Sequence, residues 1–170
     1  MKKFIIILFI ITIITLLING NKETSVLIPK SAIRYRIIAN SNEPNDQEKK
    51  LLIKNELDPL INNILVSSSS LDSSRNEILE NIPLIKTKID KFTTDYDINY
   101  GLNYFPEKTY KDITYDEGNY ESLVITLGAG LGDNWWCVLF PPLCLLEADE
   151  KNVDNVTYSL YAKKIIDKFY

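Results

Sequence analysis

Histidine is missing from the 170-residue sequence altogether, and that absence removes whole classes of chemistry. A serine or cysteine nucleophile activated by imidazole has no base to work with, and zinc sites that use His have no donors. Cysteine occurs only twice, which excludes an all-thiolate zinc site as well. Positive charge is not in excess: 19 Lys and Arg stand against 23 Asp and Glu, for a net charge of −4. Nucleic-acid binding draws on clustered positive charge, so no such partner is expected. Glycine is sparse, and three of the six in the chain are Gly128, Gly130 and Gly132. No Asp-Thr/Ser-Gly signature of an aspartic protease occurs. What remains is 45% hydrophobic and 25% charged, the balance of a globular protein. The length suits one domain with some chain left over for a tail or anchor.

The clearest break in composition is at the start. Lys2-Lys3 precede FIIILFIITIITLLI, uncharged from Phe4 to Ile18. A charged start followed by an apolar core is the pattern of a secretory signal. The run is shorter than the ~20 residues of a comfortable transmembrane helix. No A-x-A-like cleavage site follows it, Ile18-Asn19-Gly20 being the nearest approach. Residues 1–20 therefore read as a signal peptide or a retained membrane anchor, with the two alternatives evenly matched. The positive-inside tendency keeps Lys2 and Lys3 cytoplasmic and places the rest of the chain across that membrane. Residues 21–30 form a polar linker, and residues 31–170 an extracytoplasmic domain.

Within that domain IRYRIIA has strand alternation, with Ile33, Tyr35 and Ile37 on one face and Arg34 and Arg36 on the other, solvated one. From Pro44 to Leu65 the spacing of Ile53, Leu57, Leu60, Ile61 and Ile64 predicts an amphipathic helix, weakened by Pro59. A serine-rich connector follows, with Asp72 or Ser73 as the cap of a second helix that runs to about Phe92 and kinks at Pro83. Tyr96 to Tyr104 alternates as a strand with an aromatic face, a short strand is expected around Thr109 to Tyr115, and ESLVITLG is another. The tail carries Tyr158, Tyr161, Ile165 and Phe169 on one helical stripe. The order predicts an α+β fold: a small mixed or antiparallel sheet packed with two or three helices, preceded by the N-terminal hydrophobic export or anchor helix.

The stretch GAGLGDNWWCVLFPPLC, Gly128 to Cys144, concentrates the candidate chemistry. Gly128, Gly130 and Gly132 follow a strand, but the spacing is not G-x-G-x-x-G, no P-loop lysine follows, and Asp133 repels an anion. A tight structural turn is the better reading. The acidic pairs Asp112 with Asp116 and Glu117 with Glu121 read as solvated loop carboxylates rather than acid–base catalysts. No catalytic residue, metal, cofactor or small-molecule ligand is expected. Cys137 and Cys144, placed outside the cytoplasm, are a candidate disulfide, two reduced buried thiols being the alternative. Trp135, Trp136, Phe140 and Leu143 fit two descriptions: core packing, or a partner-binding surface of aromatics on a stiff loop whose Pro141-Pro142 pair is excluded from a central strand.

NWWCVLFPPLC, preceded by alternating glycines, closely resembles the hallmark of the stage II sporulation protein R family. IRYRIIANSNEPNDQEKK, from Ile33 to Lys50, resembles that family's first block, and FPEKTYKDITYDEGNYESL, from Phe105 to Leu123, a later one. Asn42, Asn55 and Lys111 depart from the family's usual aspartate, aspartate and glycine. The resemblance implies a signalling protein rather than an enzyme. Such a protein is exported across the forespore membrane into the space between forespore and mother cell, where it triggers a membrane-embedded aspartic protease. That protease then processes the precursor of an early mother-cell sigma factor. The alternative is an extracytoplasmic protein that binds or acts on the cell wall during engulfment. Intact mass of the exported protein checks two of these expectations together. A bridged Cys137–Cys144 pair takes up no alkylating label until reductant is added, and the mass itself locates any cleavage near residue 20.

Overall fold

The computed structural model describes residues 28–110, 113–144 and 155–170. The signal or anchor segment, most of the linker, and Asp112 lie outside the described residues, as does the side chain of Tyr158. Among the described residues no helix is long and apolar enough to cross a membrane.

The fold is α+β. Strand β1, Ile33–Ile38, arises from the alternation in IRYRII, with Ile33, Tyr35 and Ile37 wholly buried. Helix α1, Pro44–Ser67, starts with Pro in its first turn. Pro59 sits inside this helix without ending it. An internal proline costs about 3 kcal/mol, and burial of Leu57, Leu60, Ile61 and Ile64 around it outweighs that loss. Helix α2, Leu71–Ile89, likewise continues through Pro83. Its cap is Ser70 rather than Asp72 or Ser73. The Ser70 hydroxyl accepts from the Ser73 amide at 3.1 Å, and the Ser73 hydroxyl accepts from the Ser70 amide at 3.0 Å. The second serine thus serves as the far half of a capping box.

Strands β2, Tyr96–Phe105, and β5, Gly118–Leu127, pair antiparallel along their whole length. The short strands β3, Lys108–Tyr110, and β4, Ile113–Tyr115, form a separate hairpin where one short strand was expected. Strand β6, Asn134–Phe140, completes a four-stranded sheet in the order β2-β5-β1-β6. The sheet is mixed, because β1 runs parallel to β5 and antiparallel to β6. Segment NWWCVLF is therefore a strand and not a loop; the two prolines fall just past its end, where they cost no ladder bond.

Helices α1 and α2 cover one face of the sheet, where Ile53, Leu57, Ile78, Ile85 and Ile89 meet Ile33, Ile37, Leu123 and Ile125. Helix α3, Asn155–Phe169, helps close a second cluster, in which Ala162 and Ile166 pack with Ile28, Tyr115, Val138 and Leu143. Its buried stripe is one position off the expected one: Tyr161 is exposed, and Ile165 and Phe169 are half-buried.

One ionic knot ties the helical layer to the sheet. The Glu121 carboxylate of β5 accepts from Arg75 Nε at 2.9 Å and Nη2 at 2.8 Å, and from the Tyr100 hydroxyl at 2.7 Å. Hydrogen bonding from Arg75 holds the Glu121 carboxyl below its ordinary range, with burial opposing and Tyr100 assisting. A depressed native value means that the ionised form stabilises the fold above the unfolded-state value and ceases to do so as pH falls through the native one. Glu121→Gln is therefore expected to melt at lower temperature than the parent at pH 6. The gap should close as both proteins are acidified below the carboxylate range, as followed by thermal unfolding.

Candidate functional site

The glycine turn and the strand behind it are built on the loop that follows β1. Gly128 and Gly130 hold φ of +53° and +65°, a backbone conformation that side chains beyond glycine rarely adopt. The Asn40 side-chain oxygen accepts from the Ala129 amide at 2.9 Å, and the Asn40 carbonyl accepts from the Leu131 amide at 3.0 Å. Ala39 O accepts from the Gly132 amide at 3.0 Å, and Asn42 Oδ1 from the Asp133 amide at 2.6 Å. A methyl at Gly132 would run into the backbone carbonyl of Ser41, and one at Gly128 into the Asn40 side chain. The turn fits because it has no side chains in those two places.

The receiving loop is itself fixed. Asn40 Nδ2 and the Ser41 hydroxyl both donate to Asp46 of α1 at 2.7 Å. These bonds, first from Ser41 and then from Asn40, hold the Asp46 carboxyl below its ordinary range. Lys50, also on α1, donates to the Asp133 carbonyl at 3.0 Å and to Gln47 Oε1 at 2.6 Å. Asn40, Asn42 and Lys50 thus belong to the site, although in the sequence they stood out only as part of the block from Ile33 to Lys50 that resembles the family. The usable signal was the pairing of a polar run, ANSN, with a glycine-rich one, GAGLGD, each following a strand.

The turn delivers the chain into β6, whose period of two sends the adjacent tryptophans to opposite faces of the sheet. Trp135 faces the helical layer, edge-on to Tyr35 with ring centroids 5.4 Å apart and Lys54 Nζ 5.2 Å from its ring centroid. Trp136 faces the other way, edge-on to Tyr115 at 4.6 Å, with Lys108 Nζ at 5.8 Å. Both indoles are half-buried. Phe140 and Leu143 are each only 2% exposed and belong to the domain's own packing. Cys137 and Cys144 form a disulfide with Cα atoms 5.4 Å apart, tying β6 to the turn that follows it.

Arg34 and Arg36 depart most from expectation. Neither lies on a solvated face: Arg34 is 1% exposed, and Arg36 is half-buried with its Nε enclosed. Phe105, Tyr115, Tyr120 and Trp136 cover that end of the second sheet face, so both faces of β1 are shielded. The Arg34 guanidinium lies 3.4 Å from the Tyr120 ring centroid and 5.1 Å from that of Phe105. Burial makes the charged form of both arginines harder to hold, with Tyr120 partly compensating at Arg34. Cations set on aromatic faces keep some of the stabilisation that a carboxylate would give.

The family model for stage II sporulation protein R matches residues 29–150 of the chain. Stage II sporulation protein R of Bacillus subtilis (strain 168) is 37% identical over 159 residues, which span 86% of this chain and 70% of that protein. No solved structure matches the chain.

The turn's geometry makes a prediction of its own. Gly132→Ala is expected to destabilise the domain by about 1–3 kcal/mol, because the methyl meets backbone that has nowhere to move. Chemical denaturation reads this directly. Ala129→Ser, placed beside it in the same turn, serves as the control and should stay within about 0.5 kcal/mol of the parent.

Proposed function

The chain belongs to the stage II sporulation protein R family, which supports a role in sporulation, and from that premise we propose that it is a secreted signal of endospore formation. In this reading residues 31–170 stand in the space between forespore and mother cell. There they activate a membrane-embedded aspartic protease, which processes the precursor of an early mother-cell sigma factor. The protein acts by binding and not by catalysis.

The observation that carries the reading is the presentation of Trp135 and Trp136. Each indole is half-buried, braced by aromatic neighbours, and set on a strand that ends the sheet. Large aromatics held rigidly and partly exposed lose little freedom on binding, which is what an interface anchor requires. Phe140 and Leu143, also candidates for partner contact, are buried in the two clusters against which Trp135 and Trp136 pack. A histidine-free chain, in which no imidazole can activate a nucleophile, suits an activator. An activator shifts its target only if it binds the active state better than the inactive one.

Coexpression of precursor sigma factor, protease and this chain in a heterologous host tests the proposal. Processing is expected only when residues 21–170 are exported; processing that ignores export sinks it. Trp135→Ala and Trp136→Ala are each expected to lower processing about tenfold or more, given the ~2 kcal/mol typical of an interface anchor. Thermal unfolding of both variants separates lost contact from lost fold.

A further inference from the structure

On the sheet face away from α1 and α2, Arg36, Phe105, Glu107, Lys108, Asn134 and Trp136 line a cavity of about 90 Å³. Its walls come from β1, the start of β6 and the turn between β2 and β3. The Arg36 guanidinium lies 4.5 Å from the Phe105 ring centroid, and its buried Nε has no hydrogen-bond partner. Among the described residues the ion pairs join Lys54, Arg75, Lys88 and Lys91 to acids elsewhere; none involves Arg36 or Lys108. Glu107 stands in the wall, and among the described residues no ion pair joins it to either. Lys50 of α1 is not in the cavity wall but lies close enough to feel Lys108. Its own charged form is disfavoured first by burial and then, against the pull of Asp133, by Lys108.

A guanidinium with an enclosed and unmet N–H is incomplete without an anionic acceptor. Its fork fits a carboxylate bidentately. Phe105 and Trp136 supply flat apolar walls that suit the methylene stem of an acidic side chain and offer nothing to a bare phosphate. Strand β6 ends the sheet, so an extended segment laid along its outer edge would send alternate side chains over this face.

We infer that this cavity receives the carboxylate of a glutamate or aspartate on an extended segment of a partner protein, paired along the edge of β6 at Asn134–Trp136. The inference deepens the activator reading and rests on it for the identity of the partner, though not for the chemistry of the pocket.

The test titrates the isotope-labelled full chain in non-ionic detergent with the blocked pentapeptide acetyl-TVEVT-amide, with its glutamine counterpart acetyl-TVQVT-amide, and with inorganic phosphate. The glutamate peptide is expected to move the Arg36 Nε–H and Trp136 indole resonances. It should bind about tenfold more tightly than the glutamine peptide, the scale of one charge-assisted hydrogen bond, and more tightly than phosphate. Arg36→Gln should lower that affinity by a similar factor. Lys108→Gln, at an exposed position, should lower it several-fold and flatten its salt dependence without disturbing the fold. Equal binding of the two peptides, tighter binding of phosphate, no binding of the glutamate peptide, or unchanged affinity in both variants overturns the inference. No protease is present in this measurement, so its failure leaves the processing result standing, and the reverse holds as well.

Discussion

The docking of the glycine turn onto the Asn40–Asn42 loop is the contact on which the rest of the site depends. Two glycines with positive φ and a third pressed against the Ser41 carbonyl let the chain pass where no other residue fits. Because the amides of Ala129, Leu131, Gly132 and Asp133 are all received by the 39–42 segment, β6 enters beside β1 in one register. A strand shifted by one residue would exchange its two faces. Trp135 would then take the place of Trp136, and Cys137 would turn away from Cys144.

The second organising element is a pair of arginines in the middle of the sheet. Arg34 is enclosed by rings and lacks a carboxylate among the described residues, a costly arrangement that aromatic faces only partly offset. Arg36, one pleat along the same face, has less of that cover and opens toward solvent. The same strand therefore carries two arginines with an unmet Nε, one sealed among rings and one beside an open cavity. On the helical side of the sheet the charged knot of Glu121 with Arg75 and Tyr100 is closed within the domain.

Much of this was legible in the sequence, wherever periodicity and burial agree. Strand β1, both helices and β2 follow the spacing of their apolar residues, and the prolines inside α1 and α2 are absorbed by packing that a local reading cannot weigh. Strand β6 was harder to read, because Pro141-Pro142 suggested a loop while the residues before them alternate as a strand. Arg34 and Arg36 were misread because alternation marks which residues share a face, not whether that face is covered. Their cover comes from Phe105, Tyr115, Tyr120 and Trp136, all far away in the chain. With two cysteines the partners of any bridge were legible, but the sequence left bridged and reduced thiols as alternatives, and the 5.4 Å between their Cα atoms is a tertiary fact.

The position of β1 at the centre of the sheet also sets an order in time. Among the described strands it is synthesised first, yet both of its partners, β5 and β6, are the last two to emerge. Sheets closed by such distant segments form slowly, because the loop between them must be ordered before any pairing rewards it. Throughout that interval IRYRII has two bare edges and a strong tendency to pair with any strand it meets. Charges placed inside a β-prone run interrupt that kind of misassembly. Arg34 and Arg36 put two charges inside that run while its edges are bare, and only Arg34 ends wholly enclosed.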